Sequence, residues 1–372
     1  MNTLATDNIT AWPELSSKSL TRIEQLAQYI ELDDEKAAIL KRVTSLYPMR
    51  ISPYTASLFD PRDDSCPIRR QFLPSAAELD DPAGQPDPLA EASHTRAGRV
   101  IRVYPDRVAA VISARCASYC RFCFRKTLFG SAGNQQVREG ERVAALEYIA
   151  SDRTIRDVLV TGGDPLLLSE PVLERFLKQL RAIKHVEIIR LGTRLLSTWP
   201  QRITPALASL LARYHPLWIN VHFNHPKELT AQAAQAAATL AEKGIPLNNQ
   251  SVLLKGVNDD HSTMMELSRR LLRLRIRPYY LFQCHLVSGT SHLRTPIESG
   301  LHIMQRMRGH ISGLGIPLYT LDTPHGKVPL NPNYLIGREG DQVRVRTYDN
   351  QLWDEFNPVA AELNPDSRVG KT

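Results

Sequence analysis

Short apolar segments alternate with helix-like segments along the chain from residue 108 onward. The apolar segments are rich in β-branched residues, recur about every 30 residues and lie at 108–112, 158–160, 186–191, 217–221, 246–253 and 279–282. Between them, apolar side chains such as Leu173, Phe176 and Leu180 recur at three- and four-residue steps, which is typical of helices with one buried face. The pattern predicts an α/β fold: a partial (β/α)6 TIM-like barrel of parallel strands, with a further strand near residues 317–321.

The regions on either side of this barrel follow different patterns. Near the N-terminus, Thr21 and Glu24 have capping-box spacing at the start of a helical apolar pattern, and a second helix is expected from about Asp33. Residues 53–88 contain seven prolines, which predicts an extended wrapping arm without regular structure. A hairpin is predicted within residues 334–348, and a loose polar tail from about residue 357. We therefore expect three regions: N-terminal helices and arm (1–100), barrel (101–322) and C-terminal extension (323–372).

Composition restricts the class of protein. The 372 residues are 42% hydrophobic, which is enough for a substantial core. No apolar run approaches the roughly 20 residues that cross a bilayer, and the N-terminus lacks a signal-peptide pattern. Together with only five cysteines, this favours the reducing cytoplasm over a disulfide-bonded secreted protein. The net charge of +7 is scattered along the chain, so neither a membrane nor a nucleic acid is an expected partner.

Three of the five cysteines form one motif directly after the first predicted barrel strand: Cys116, Cys120 and Cys123, spaced CxxxCxxC. Function in such a barrel lies on the loops that follow the strands. Three thiolates can hold three irons of a four-iron cluster and leave the fourth iron open for a substrate or cofactor. The competing interpretation is zinc, but a closed zinc site needs four ligands, and no second Cys/His pair has a suitable spacing. The motif therefore favours a 4Fe–4S cluster.

Further motifs extend the cysteine motif into a family resemblance. Its position resembles that in the radical S-adenosylmethionine (SAM) enzymes, and Thr161-Gly162-Gly163-Asp164 after the second strand resembles their glycine-rich loop. Asp322-Thr-Pro-His-Gly-Lys327 and the following Val-Pro-Leu-Asn-Pro-Asn-Tyr are similar to the pyridoxal-lysine loop of the lysine 2,3-aminomutases. Alone, the glycines would fit an ordinary βα turn and the lysine a solvated surface charge. Other similar segments begin at Pro53, Tyr104, Cys120, Gln201, His222, Asn249 and Arg308, so the resemblance covers nearly the whole chain.

The resemblance implies a role for each matching residue. The cluster ligands would be Cys116, Cys120 and Cys123, and the SAM contacts would be Gly162, Gly163, Asp164, Arg194 and His222. The contacts of pyridoxal 5′-phosphate (PLP) would be Tyr104, Arg107, Asn249 and Gln250, with Lys327 as the catalytic lysine that forms the Schiff base. The substrate contacts would be Arg125 at the α-carboxylate, and His285 and Asp322 at the far end.

The implied reaction is a radical 2,3-amino shift. The reduced cluster splits SAM into methionine and a 5′-deoxyadenosyl radical, which removes hydrogen from the β-carbon of the substrate. The amine, held by PLP, would then move from the α-carbon to the β-carbon, and return of hydrogen from 5′-deoxyadenosine would give the β-amino acid. The expected partners are a free amino acid, an electron donor such as flavodoxin or ferredoxin, and further copies of this chain in a homo-oligomer.

The sequence departs from the family pattern at three places. Lysine-acting members bind the side-chain ammonium with two aspartates; Asp322 matches one, but His285 stands at the other, and histidine is a weaker anionic partner. The expected substrate is therefore lysine or another basic amino acid such as arginine or ornithine. The lysine loop has fewer glycines and contains His325. Asp260 stands where some members have a zinc-binding cysteine, and the tail lacks cysteine, so no structural zinc is expected.

Two other hypotheses stay open on the sequence. One keeps the radical chemistry but assigns the product, β-lysine, to the modification of a translation factor, as in shorter relatives. Against it, the long arm and the C-terminal region resemble the free-standing aminomutases better. The other is a basic metal-binding module for nucleic acid, which predicts zinc instead of iron and an affinity that falls steeply with salt.

Overall fold

The computed structural model describes residues 12–129 and 136–357. Its strands are β1 Thr95–Arg96, β2 Val100–Ile101, β3 Arg107–Ser113, β4 Asp157–Gly162, β5 Ile188–Gly192, β6 Leu217–Val221, β7 Leu247–Leu253, β8 Ile276–Gln283, β9 Leu318–Thr323, β10 Gly326–Pro329, β11 Leu335–Glu339, β12 Gln342–Arg346 and β13 Leu352–Phe356. Its α-helices are α1 Trp12–Lys18, α2 Asp34–Leu46, α3 Pro53–Ser57, α4 Pro67–Phe72, α5 Glu91–His94, α6 Lys126–Phe129, α7 Glu139–Ser151, α8 Glu170–Ala182, α9 Leu195–Thr198, α10 Pro205–Ala212, α11 Ala231–Ala241, α12 His261–Arg273 and α13 Ile297–Met307. Short 3-10 helices lie at Ile23–Gln28, Ala76–Glu78, Ala97–Arg99, Pro165–Leu167, Pro200–Arg202, Pro226–Glu228, Ser291–Leu293 and Gly313–Gly315.

Strands β1 to β10 form one curled sheet in which the strands follow one another in chain order. Neighbours from β3 to β9 are parallel, whereas β1, β2 and β10 pair antiparallel at the two edges. This is a partial barrel of βα units, and the predicted fold class is confirmed. The predicted strand at residues 317–321 is also confirmed, since β9 begins at Leu318.

Helices cover the outer face of the sheet and bury apolar side chains against it. In α8, the predicted Leu173, Phe176 and Leu180 are all buried. Beneath the helices, Val158 and Val160 of β4 are fully buried. Each such side chain contributes about 1.5–3 kcal/mol on leaving water. Within the described residues, no helix has both the length and the apolar character needed to cross a bilayer.

The first predicted helix is wrong in type. Residues Ile23–Gln28 form a 3-10 helix, and its entry is capped by Gln25, whose Oε1 accepts the Thr21 and Arg22 N–H groups at 2.9 Å. The predicted cap Glu24 instead pairs with Lys41 at 2.8 Å. The second predicted helix is confirmed as α2, with the Asp33 carboxylate accepting the Lys36 N–H at 2.7 Å.

The wrapping arm is more ordered than its prolines predict. Pro53 and Pro67 each open a short helix, α3 and α4. Proline is tolerated at this position, because the first helical N–H has no partner within the helix. Ile51, Ile68 and Phe72 are buried in the hydrophobic cluster of this region. The arm therefore packs a small core of its own.

The C-terminal region contains the predicted hairpin, formed by β11 and β12, and a third strand, β13, that the sequence did not indicate. Leu335, Leu352, Trp353 and Phe356 of this three-stranded sheet are half or more exposed, at 50–62%. The expected loose tail lies outside the described residues, apart from residue 357.

The expectation that the motifs follow the carboxyl ends of strands is wrong for four of the residues assigned to PLP: Asn249 and Gln250 lie within β7, and two others lie at the start of β3. Arg107 is the first residue of β3, and Tyr104 precedes it. Strands of a barrel are tilted and staggered, so the start of the first strand can meet the chain beyond the last one. Here Tyr104 meets Lys327 at the other edge of the sheet.

Gly162→Ala is expected to lower the free energy of unfolding by about 2 kcal/mol or more. Gly162 has φ +136, and an added Cβ would lie 2.0 Å from the Ser113 carbonyl oxygen. The matched control is Gly140→Ala in α7, where nothing lies within 4 Å of an added Cβ. Thermal unfolding followed by circular dichroism measures both; equal melting temperatures for the two variants would contradict the strain.

Candidate active site

The cysteine loop leaves the carboxyl end of β3 and is held by the N-terminal arm. The Tyr119 N–H donates to the Arg50 carbonyl, and the Arg121 N–H donates to the Gln71 carbonyl, both at 2.8 Å. Two residues inside the motif are thus bonded to the arm. The three cysteines of the motif are partly buried.

The three thiols lie close enough to oppose one another's ionisation. Burial raises the pKa of Cys116 well above its usual value, and the neighbouring thiols and Asp164 raise it further. Burial also raises the pKa of Cys123 to about 11, with Cys120 as the next cause. Thiolates therefore need a compensating positive charge in this loop, and iron would supply it.

Arg194 joins the cysteine loop to the strands that follow it. Its Nη1 donates to Cys120 Sγ at 2.6 Å, and its Nη2 contacts Gln71 Oε1 at 2.5 Å and Glu228 Oε1 at 3.0 Å. The Arg194 Nε is buried and has no protein partner among the described residues. An unsatisfied buried donor beside the thiols fits a bound polar group such as SAM.

The glycine-rich loop packs directly against the start of the cysteine loop. The Gly163 N–H donates to Ser113 O at 2.8 Å, and the Asp164 N–H donates to Arg115 O at 2.6 Å. A Cβ on Gly163 would lie 2.3 Å from Arg115 O, so only glycine allows this approach. The two loops that the resemblance assigns to the cluster and to SAM are therefore adjacent.

Asp164 acts here as a structural acceptor. Its buried carboxylate accepts from Thr193 Oγ1 at 2.8 and 2.9 Å, from the Arg194 N–H at 2.8 Å and from the Leu166 N–H at 3.1 Å. Burial nevertheless raises its pKa to about 6. These bonds fix the backbone that presents Arg194.

His222 lies against the cysteine loop. Its ring stands 5.5 Å from the ring of Phe122, and its Nε2 is 3.1 Å from Asn224 Oδ1. Burial and the nearby Arg194 lower the pKa of His222 well below its usual value. The imidazole is therefore neutral and suits a hydrogen-bonding contact to a cofactor.

Lys327, Tyr104 and Arg107 meet where the two edges of the sheet come together. The Lys327 N–H donates to the Tyr104 hydroxyl at 2.7 Å, and the Arg107 guanidinium lies 3.6 Å from the centroid of the Tyr104 ring. The Lys327 side chain is 36% exposed and the Arg107 side chain is 37% exposed. An amine, a phenol and a cation at one place fit an aldehyde with a phosphate group, as in PLP.

The other two residues assigned to PLP are placed differently. The buried Asn249 side chain accepts from the Phe223 N–H at 2.8 Å and donates to Phe223 O at 3.0 Å and Ser251 Oγ at 2.8 Å. It is therefore used within the protein and holds the loop after β6. Gln250, next along β7, is half-buried and opposite Tyr280 of β8.

His285 and Asp322 are in contact, as their assignment to one end of the substrate requires. His285 Nε2 is 3.3 Å from Asp322 Oδ2, and Asp322 Oδ1 is 2.9 Å from Lys327 Nζ. Burial would raise the pKa of Asp322, but the bonds and charges of His285 and Lys327 outweigh it and lower that pKa. Asp322 is therefore anionic at neutral pH.

Arg125 has a partner that the sequence did not reveal. Its Nε and Nη2 donate to the two carboxylate oxygens of Glu91 at 2.8 and 2.7 Å, and its Nη1 contacts Gly162 O at 3.3 Å. Glu91 lies 34 positions earlier in the arm, in a stretch without a motif. Glu228 and Gln71, the partners of Arg194, were missed for the same reason.

The comparisons with known proteins agree with this arrangement. The sequence profile of the radical SAM superfamily matches residues 110–268, which hold both the cysteine loop and the glycine-rich loop. Fold and site thus define a radical SAM enzyme. A second profile, described as lysine-2,3-aminomutase, matches residues 304–358 around Lys327.

Curated relatives match most of the chain. It is 41% identical over 341 residues to the L-lysine 2,3-aminomutase of Clostridium subterminale, covering 91% of this chain and 82% of that protein. It is 41% identical over 340 residues to the glutamate 2,3-aminomutase of Clostridioides difficile, covering 90% and 80%. A putative L-lysine 2,3-aminomutase of Aquifex aeolicus is 44% identical over 336 residues, covering 89% and 90%. The chain therefore belongs to the lysine 2,3-aminomutase family, whose members are isomerases.

Replacing any of Cys116, Cys120 or Cys123 by alanine is expected to remove most of the bound iron after anaerobic purification, because each thiolate would hold a different iron. The wild-type chain is expected to hold about four irons with matching sulfide. The control is Cys66→Ala, since Cys66 is buried in the core of the arm and lies outside the CxxxCxxC motif. Iron analysis that finds zinc alone, or full iron in all three variants, would contradict the assignment.

Proposed function

We propose that this chain is a radical SAM, PLP-dependent 2,3-aminomutase that moves the α-amino group of a free basic amino acid to its β-carbon. One observation carries the proposal: a continuous line of contacts runs from the cysteine loop to the pyridoxal lysine. The Arg125 guanidinium lies 4.6 Å from the Phe124 ring centroid, and Phe124 lies 5.3 Å from the His285 ring. His285 contacts Asp322, which contacts Lys327.

The cofactors are assigned to the two ends of this line. Cys116, Cys120 and Cys123 would hold the 4Fe–4S cluster, and the region of Gly162, Gly163, Asp164, Arg194 and His222 would receive SAM. Lys327, Tyr104, Arg107 and Gln250 would hold PLP, whereas Asn249 would support their positions from within the barrel. When bound, the cluster and SAM supply a carbon radical and PLP supplies an electron sink for the migrating amine.

The protein groups act on substrate binding and orientation. Arg125 would bind the α-carboxylate, since a guanidinium pairs with a carboxylate through two bonds. Phe124 and Phe282 lie against His285 and exclude water from the space between the two ends. Closure of the barrel edges by Tyr104 and Lys327 would also exclude solvent from the radical.

The far end of the pocket supports a basic substrate. Asp322 is anionic and only 13% exposed, so a second substrate carboxylate would be repelled there. Identity to relatives does not decide the substrate, because the lysine and glutamate enzymes are each 41% identical to this chain. The charge of Asp322 therefore supports lysine, arginine or ornithine over glutamate.

The remaining proposals concern partners and assembly. The proposed cluster accepts single electrons and therefore requires an electron donor such as flavodoxin or ferredoxin. We also propose that the enzyme is cytoplasmic. A homo-oligomer is supported by the exposed apolar side chains of Trp353 and Phe356 on the C-terminal sheet. We propose no structural zinc, and a division into arm (1–100), barrel (101–322) and C-terminal extension (323–372).

The test is a panel of amino acids. L-lysine, L-arginine, L-ornithine and L-glutamate are each incubated anaerobically with the reconstituted enzyme, SAM and dithionite, and β-amino products are separated by chromatography. Product from at least one basic amino acid is expected. Absence of a β-amino product from every member of the panel would refute the proposed function.

Lys327→Ala is expected to abolish the visible absorption band of protein-bound pyridoxal, because its amine is the proposed anchor. Lys255→Ala is the matched control, since Lys255 is an exposed loop lysine after β7. Absorption spectra of the two variants after PLP loading and desalting provide the measurement. A full band in Lys327→Ala would show that another amine binds PLP.

His285→Asp is expected to raise kcat/KM for L-lysine at least about tenfold, because a second carboxylate would pair with the side-chain ammonium. His285→Asn is the control, since it changes size in a similar way without adding charge. If both variants have the same kcat/KM for L-lysine, the charge at this position does not determine substrate choice.

A further inference from the structure

The feature that the proposed function leaves unexplained is the buried ion pair between Glu91 and Arg125. Both oxygens of the Glu91 carboxylate are bonded to the guanidinium, at 2.7 and 2.8 Å. The Arg125 side chain is 7% exposed and that of Glu91 12% exposed. A pair with this geometry and burial resists separation, because either charge left alone would be strongly destabilised.

Glu91 is itself held in place by the arm. It is the first residue of α5, and Asp87 Oδ1 accepts its N–H at 2.9 Å. Just upstream, Gln85 exchanges backbone bonds with the loop after β8: its N–H donates to Leu286 O at 2.8 Å, and its carbonyl accepts the Ser288 N–H at 3.0 Å. That loop also carries His285. The position of Glu91 is thus tied to the same loop that forms the far end of the pocket.

Two further contacts restrict Arg125. Its Nη1 donates to the Gly162 carbonyl at 3.3 Å, and its Cζ lies 4.6 Å from the centroid of the Phe124 ring. The carboxylate of Glu91, the carbonyl of the glycine-rich loop and an aromatic face together determine both the position and the plane of the guanidinium. A cation fixed in this way binds a carboxylate without first losing side-chain freedom.

We propose that Glu91 is a positioning residue: it holds Arg125 in the orientation that receives the α-carboxylate of the substrate. The inference rests on the proposed function, in which Arg125 binds that carboxylate. Glu91 does not leave when substrate enters, since its departure would strand a buried carboxylate near the cysteine thiols. The arm therefore takes part in substrate recognition, although Glu91 itself lies outside the segments that resemble family motifs.

The test compares Glu91→Gln, Glu91→Ala and Glu91→Asp with the wild type. The probes are the best basic amino acid of the panel, for example L-lysine, and its α-carboxamide, L-lysinamide, which lacks the carboxylate. Glu91→Ala and Glu91→Gln are expected to raise KM for L-lysine about tenfold or more, with a smaller change in kcat. Glu91→Asp keeps the charge and is expected to raise KM for L-lysine less than the other two variants do. The KM for L-lysinamide is expected to change less than threefold in each of the three variants.

A binding measurement accompanies the kinetics. Titration of the PLP-loaded protein with each probe, followed by the pyridoxal absorption band, gives a dissociation constant that does not require turnover. Within one variant, the ratio of the dissociation constants for the two probes does not depend on the fraction of protein that is folded. The matched control is Glu187→Gln, because Glu187 pairs with Arg156 on the exposed surface; its constants are expected to equal those of the wild type.

Two results would overturn the inference. An equal loss for L-lysine and L-lysinamide would mean that Glu91 only stabilises the fold. An unchanged or lower KM for L-lysine in Glu91→Ala would mean that Glu91 is irrelevant or competes with the substrate. If the wild type is active, either result leaves the proposed function intact. A wild type that converts no amino acid of the panel would refute both the proposed function and the role of Glu91.

Discussion

The parallel pairing of β3 with β4 is the constraint on which the rest of the site depends. Because these strands run side by side, their carboxyl ends meet, and the glycine-rich loop packs on the backbone from which the cysteine loop starts. Gly162 and Gly163 allow this contact, since any side chain would overlap Ser113 or Arg115. A pair of strands thereby brings the proposed cluster and SAM sites together before any ligand binds.

The same sheet brings the second cofactor region to the first. Its edges approach each other, so the Tyr104 hydroxyl accepts the Lys327 N–H although 223 positions separate them. From Lys327 the contacts continue through Asp322 and His285 towards Arg125. In the proposed reaction, radical chemistry and amine transfer act on one small molecule, and this route of contacts explains how a single chain could do both.

The sequence was sufficient where a residue's role depends on its own neighbours in the chain. The strands of the barrel, the spacing of Cys116, Cys120 and Cys123 and the segment before Lys327 all carry local patterns, and the fold class and family are confirmed. The sequence was not sufficient where a role depends on contacts between segments that lie far apart in the chain. Glu91 meets Arg125 only because the arm folds over the barrel, and no periodicity marks that contact.

Local patterns also misled in instructive ways. The apolar spacing before Ile30 is helical, yet the segment forms a 3-10 helix in which Ile23 and Leu26 are buried. The prolines of the arm predicted irregular chain, but Pro53 and Pro67 begin helices. The Asn249 side chain bonds to Phe223 and Ser251, and no local pattern in the sequence indicates these contacts.

The central claim is that both cofactor regions serve one reaction on one substrate. The most direct measurement uses the preferred basic amino acid carrying deuterium on its β-carbon, with mass spectrometry of the nucleoside and amino acid products. The account predicts deuterium both in 5′-deoxyadenosine and on the α-carbon of the β-amino acid. A β-amino product that has exchanged its deuterium with solvent, with none in 5′-deoxyadenosine, would contradict it.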